Sequence, residues 1–101
     1  MVTHKYRAQP DNRDGFKFAS KREARFYDEL KLRQKAGEVL FFLMQVPFHL
    51  PGNTKYVCDF QVFYVDGEIE FIDVKGFMTN VFIAKKKQVE QIYPIAIKIV
   101  K

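Results

Sequence analysis

Apolar residues recur along this chain with two periods, and the switch between them outlines the elements. From Ser20 to Ala36 the positions 26, 27 and 30 form a stripe at helical spacing. Ser20 is a favourable N-cap and Glu23 follows three residues later, as in a capping box. Gly37 is a plausible stop. The other faces carry Lys21, Arg22, Arg25, Lys31, Arg33 and Lys35. Val39 to Leu50 is a Phe-rich strand region, with Pro47 marking a bend or a sheet edge. Pro51-Gly52-Asn53 is a loop. Tyr56 to Tyr64 and Glu68 to Lys75 read as a hairpin around Asp66-Gly67. Thr79 or Asn80 caps a second helix that runs to about Tyr93, where Pro94 ends it. Ile95 to Val100 is a last strand.

The hairpin register decides which side chains meet. A two-residue Asp-Gly turn pairs Val65 with Glu68 and sends Asp59 and Asp73 to opposite faces. A three-residue loop, Val65-Asp66-Gly67, pairs Tyr64 with Glu68 and Asp59 with Asp73. Gly67 then occupies the left-handed position of a common loop type, which selects the second register. Val57, Asp59, Gln61, Phe63, Ile69, Phe71, Asp73 and Lys75 are then expected on one face. Cys58, Phe60, Val62, Tyr64, Ile72 and Val74 are expected on the other. Both faces are largely apolar, so both are expected to be covered. The fold expected is α/β: a mixed sheet of about four strands flanked by two helices, in the order helix, three strands, helix, strand.

At 101 residues the chain is one domain, residues 1–101, and 48% apolar residues suffice for a core. Residues 1–18 read as a basic, flexible arm in which Lys5, Arg7, Arg13 and Lys17 alternate with aromatics. A net charge of +5 suits a polyanionic partner or an anionic surface, and equally suits simple solubility. Cys58 is the single cysteine, so no disulfide forms within the chain, and a reducing, intracellular setting is expected. Met1 to Pro10 has no apolar signal segment, and the run Val39–Val46 is too short to span a bilayer.

One constellation carries chemistry. Asp59 interrupts an apolar strand, where an unpaired carboxylate is costly; buried charges are usually paired or bound to metal. Asp73 and Lys75 stand two apart on the neighbouring strand, on one face. Glu23 is in phase with Tyr27 and Leu30 and so points to the core side of its helix. Three acids beside a lysine suit Mg²⁺-assisted cleavage of phosphodiesters, with Glu23, Asp59, Asp73 and the Val74 carbonyl as oxygen ligands. Lys75 would orient or deprotonate the attacking water, or stabilise the transition state. Simpler readings stand beside these. Glu23 is a capping-box acid, Asp73 and Lys75 are a strand-end ion pair, and Gln45 is a polar position on an edge strand or a group that positions water or phosphate. Lys85, Lys86 and Lys87 form a solvated helix face or contact phosphates; Lys85, in line with Phe82 and Val89, leans toward the acids. His4 and His49 have no partner at a metal or triad spacing. Cys58 reads as a core residue rather than a nucleophile.

With those residues in view, the chain resembles the PD-(D/E)XK nucleases. The resemblance rests on Ser20-Lys21-Arg22-Glu23-Ala24-Arg25-Phe26-Tyr27, the strand with Gln45-Val46-Pro47, Tyr56-Val57-Cys58-Asp59-Phe60 and Asp73-Val74-Lys75-Gly76. It spans about Tyr6 to Tyr93 and is nearest to short phage and prophage proteins described as Holliday-junction-resolvase-like or endonuclease-I-like. Cys58 stands where the superfamily name has proline. The resemblance implies a restriction-endonuclease-like core and an endonuclease using Mg²⁺, with Mn²⁺ able to substitute. It matches Glu23, Asp59 and Asp73 to the family acids, Lys75 to the catalytic lysine and Gln45 to a first-strand glutamine. It implies a homodimer cutting branched DNA in phage recombination or replication, in the cytoplasm of a bacterial host. Lys5, Arg7, Lys17, Lys21, Arg22, Arg25, Lys85, Lys86 and Lys87 would hold the DNA. The alternatives are a non-catalytic nucleic-acid-binding module or partner-dependent subunit on the same fold, and a nicking or non-specific nuclease.

Overall fold

The computed structural model describes residues 10–101. Lys5 and Arg7, expected to contact DNA, and His4 lie outside the described residues. The elements run β1 (Asp11–Arg13), β2 (Phe16–Phe18), α1 (Lys21–Lys35), β3 (Val39–Leu50), β4 (Thr54–Tyr64), β5 (Ile69–Val74), α2 (Asn80–Ile92) and β6 (Ile97–Val100). β3 to β6 form one mixed four-stranded sheet in sequential order. Its first three strands are antiparallel, and β6 returns parallel to β5 after α2. The fold is α/β with a mixed sheet and two helices, as expected. Among the described residues, no helix is long and apolar enough to cross a membrane.

Local chemistry sets the helix ends. Ser20 Oγ accepts the Glu23 N–H at 3.1 Å. At the other end the Gly37 N–H reaches Gln34 O and the Glu38 N–H reaches Arg33 O, with Gly37 at φ 82°, so α1 closes in a Schellman motif. In α2, Thr79 is the cap and its side chain accepts the Phe82 N–H. The hairpin adopts the three-residue loop: Tyr64 N–H donates to Glu68 O and Gly67, at φ 96°, donates to Tyr64 O.

Three differences from the sequence-based expectation have physical causes. Residues 11–18 are not a free arm but a two-stranded hairpin turning at Asp14-Gly15. Tyr27 Oη donates to Asp14, Arg13 pairs with Asp28, and Phe18 is buried against Tyr27, so α1 holds the hairpin. Second, the face expected to run from Cys58 to Val74 is divided. Phe60, Val62, Ile72 and Val74 pack with Ala24, Tyr27 and Leu30 of α1. Cys58 and Tyr56 pack instead with Val89 of α2 and Ile97. On β3 the same exchange separates Phe42 and Met44 from Val46 and Phe48. The turning point is Gln45, at φ 54°. Third, one half of the sheet is uncovered: Phe41 stacks on Phe63 at 4.3 Å between the paired strands, with Leu43 and Ile69 exposed beside them.

Candidate active site

Regular pairing is interrupted between β3 and β4 and ends between β4 and β5 at one level of the sheet. β3 and β4 pair Met44 with Phe60 and Val46 with Cys58, passing over Gln45 and Asp59. The β4–β5 ladder ends at Phe60 and Ile72. Beyond it the carboxylates replace backbone carbonyls as acceptors. Asp73 Oδ1 accepts the Asp59 N–H at 2.8 Å, and Asp59 Oδ2 accepts the Val74 N–H at 2.9 Å. The two acids therefore clasp each other's strands. Val74 enters the site through this N–H, while its side chain packs in the α1 core.

Glu23 approaches from α1, buried in line with Tyr27 and Leu30. Its N–H is capped by Ser20, but its carboxylate does not close the capping box. Oε2 instead accepts Gln45 Nε2 at 3.0 Å. Gln45 is a non-glycine residue in the left-handed region, where a side chain costs energy. That conformation coincides with its bond to Glu23 and with the break in the ladder, as strained residues at functional sites often do.

All three acids are buried, Asp73 completely. Burial pushes the Glu23 carboxyl up to about 7, aided by the charges of Asp59 and Asp73 and opposed by Lys75. Burial likewise raises Asp59 and Asp73, while the amides they accept and Lys75 hold them down. Lys75 thus acts electrostatically on all three acids. Its Nζ lies 5.0 Å from the centre of the Phe82 ring, a cation–π contact with α2, and its N–H donates to Val100 O. Phe82 is a site neighbour that no sequence pattern marked, since it joins Lys75 only through the packing of α2. It also meets Tyr56, whose buried hydroxyl has no hydrogen-bond partner.

Asp73 Oδ2 is the other buried side-chain oxygen without a partner. A completely buried carboxylate oxygen without a donor calls for a proton, a water or a cation. The carboxylate oxygens of Asp59 and Asp73 are of the kind a hard divalent cation prefers. Among the described residues, no three His, Cys, Asp or Glu side chains are gathered tightly enough to hold a metal ion as they stand. The structure joins the expected residues as two pairs, Asp59 with Asp73 and Glu23 with Gln45.

The chain belongs to the family described as Protein of unknown function (DUF1064). The family model matches residues 3–100, nearly the whole chain. No curated protein and no solved structure matches it.

The basic residues of this DUF1064 chain divide by position. Lys17, Lys21, Arg22 and Arg25 are exposed on β2 and the first turns of α1, and Lys87 is exposed on α2. Lys85 was expected to lean toward the acids, but its Nζ lies 3.5 Å from Lys55 O. Lys86, one position on, instead contributes to holding Asp73 down, and is itself tied to Glu90 at 3.2 Å. Phe82 and Val89 of the expected stripe do face the core, but Ile92 is exposed and Tyr93 packs in its stead.

Proposed function

We propose that this protein is a divalent-metal-dependent DNA endonuclease of the PD-(D/E)XK type. The observation that carries the reading is the clasp of Asp59 and Asp73, with the unpartnered Asp73 Oδ2 buried between β4 and β5 and Lys75 acting on both acids. Asp59 and Asp73 would hold the cation, with Glu23 as the third acid, and Mn²⁺ would substitute for Mg²⁺. The bound ion would neutralise charge on the phosphate and promote deprotonation of the attacking water.

The chain's own groups do the rest. The two amide–carboxylate bonds fix both aspartates against the sheet, so neither must be ordered when substrate arrives. Lys75, braced by Phe82, supplies positive charge where the phosphate becomes more negative. Gln45 fixes the orientation of Glu23, the third acid. Branched DNA is the proposed substrate, cut by a homodimer during phage recombination or replication in a bacterial cytoplasm. The uncovered surface around Phe41 and Leu43 is apolar enough to support self-association.

A second reading, a non-catalytic nucleic-acid-binding module, is favoured by one observation: among the described residues the acids stand as the Asp59–Asp73 pair and a separate Glu23 held by Gln45, rather than as one group of three. A single experiment separates the readings. Cleavage of a labelled four-way junction is compared with that of a matched linear duplex in EDTA, Mg²⁺ and Mn²⁺, with wild type and Lys75→Ala. Metal-dependent cutting of the junction alone, lost in Lys75→Ala, is the expected result. Binding without cutting in every metal would leave the non-catalytic module. Cutting of both substrates would make the protein a nicking or non-specific nuclease.

A further inference from the structure

Glycine serves two purposes in this chain. Four of its five glycines have positive φ and nothing within 4 Å of where a Cβ would stand. Gly76 is the exception. Its φ is outside the left-handed region, and a Cβ there would meet Arg22 Nε at 2.9 Å and Cζ at 3.3 Å. Glycine at this position lets the guanidinium lie across the backbone; a Cβ would make it shift.

The Arg22 side chain makes no ion pair or hydrogen bond with any described residue, and neither does that of Arg25. Together with Lys101 they line a cleft of about 210 Å³, whose single acid is Glu29 and whose floor includes Val74. Val74 is the residue whose N–H donates to Asp59. Arg22 directly precedes Glu23, and Gly76 directly follows Lys75. The cleft is therefore displaced by one residue from the acid cluster on both elements. An exposed arginine without a carboxylate partner is suited to an incoming oxyanion, which its guanidinium can meet with two hydrogen bonds.

We propose that Arg22, seated across Gly76 and flanked by Arg25 and Lys101, is a subsite for a DNA backbone phosphate adjacent to the one that is cut. The inference rests on the nuclease reading and extends it by naming where the neighbouring phosphate goes. The glycine is part of the subsite, because any side chain at 76 would push the guanidinium aside.

Binding in EDTA tests this without requiring cleavage. Affinity for a fluorescent four-way junction is measured by anisotropy from about 50 to 200 mM salt, a range over which each phosphate contact adds about 0.9 to the logarithmic slope. Wild type, Arg22→Ala, Arg22→Lys, Gly76→Ala and Lys35→Ala are compared. Lys35 is about 20 Å away along α1 and serves as the control. Arg22→Ala and Gly76→Ala should each weaken binding, and Arg22→Ala should lower the slope by about one. Arg22→Lys should keep the slope. Wild-type affinity and slope in both Arg22→Ala and Gly76→Ala would overturn the proposal, as would failure of the wild type to bind DNA. If the slope changes as expected but no metal supports cutting, Arg22 is a phosphate contact of a binding module and the nuclease reading, with the place of the subsite beside a cut phosphate, falls.

Discussion

The sheet has two halves that obey different rules. Below the level of Gln45, Asp59 and Asp73, β4 and β5 pair backbone to backbone from Phe60 and Ile72 down to the loop at Gly67, over a core of α1 side chains. Above it, carboxylates take over from carbonyls, β3 bends at Gln45, and the packing passes to α2. The lower half buries hydrocarbon and satisfies its amides within the sheet. In the upper half β3 still pairs with β4 and β5 with β6, but the seam between β4 and β5 is held by buried carboxylates, which a hydrophobic effect alone would not select. Stability and chemistry are thus assigned to adjacent stretches of the same strands.

Substitutions can break that division. The largest effect should come from Asp73→Asn, which keeps an acceptor for the Asp59 amide but removes the charge. Junction cleavage in Mg²⁺ should fall on the order of 10³-fold or more, while the circular dichroism spectrum and DNA binding are retained. Retained activity in the purified variant would sink the nuclease assignment. In the lower half the pattern should invert. Phe60→Ala, at a completely buried aromatic, should cost about 3–5 kcal/mol by urea denaturation, with kcat little changed in whatever fraction stays folded.

A smaller effect should appear as a pH dependence. The Glu23 carboxyl is raised from 4.5 to about 7 in the folded state, so the native protein binds a proton that the unfolded chain has released. Its stability contribution is complete below about pH 4.5 and is lost as pH rises through about 7. Asp59 and Asp73, also raised, act with the same sign. The Tm should therefore decline across that window in EDTA, and the decline should be shallower in Glu23→Gln. Adding Mg²⁺ at pH 7 should recover the lost stability in wild type and not in Asp73→Asn, as expected for a ligand that binds only the native site. A Tm insensitive to Mg²⁺ would argue for the non-catalytic reading. The smallest effect is Ser20→Ala, which removes the α1 cap and should cost about 1 kcal/mol. Any loss of activity beyond that would show that the cap also positions Glu23.

Much of the lower half was legible in the sequence because its determinants are local. Gly67 selects the loop, the loop selects the register, and the register brings Asp59 to Asp73. Ser20 and Gly37 bracket α1 for equally local reasons. The upper half was legible in its residues but not in its geometry. Glutamine rarely takes positive φ, so nothing in the sequence announced that β3 would turn at Gln45 and move Cys58 into the other core. The β1–β2 hairpin escaped notice because three-residue strands are too short for alternation to register, although Asp14-Gly15 marked its turn. Lys86, rather than Lys85, acts on Asp73 because a helix with one buried residue leaves its rotation poorly defined by apolar spacing.

Cys58 gives this architecture a built-in clock. Its thiol is completely buried, lies 3.4 Å from Phe60 O and 3.5 Å from Ile72 O, and is pushed up to about 11 by burial. It adjoins Asp59 at the level where the two halves of the sheet meet. An alkylating reagent can reach it only when β4 separates from its neighbours there, so the labelling rate of this single thiol times the opening of the acid clasp. Local opening would give a rate that is slowed by metal and insensitive to mild denaturant, whereas labelling through global unfolding would follow the denaturant dependence of the whole domain.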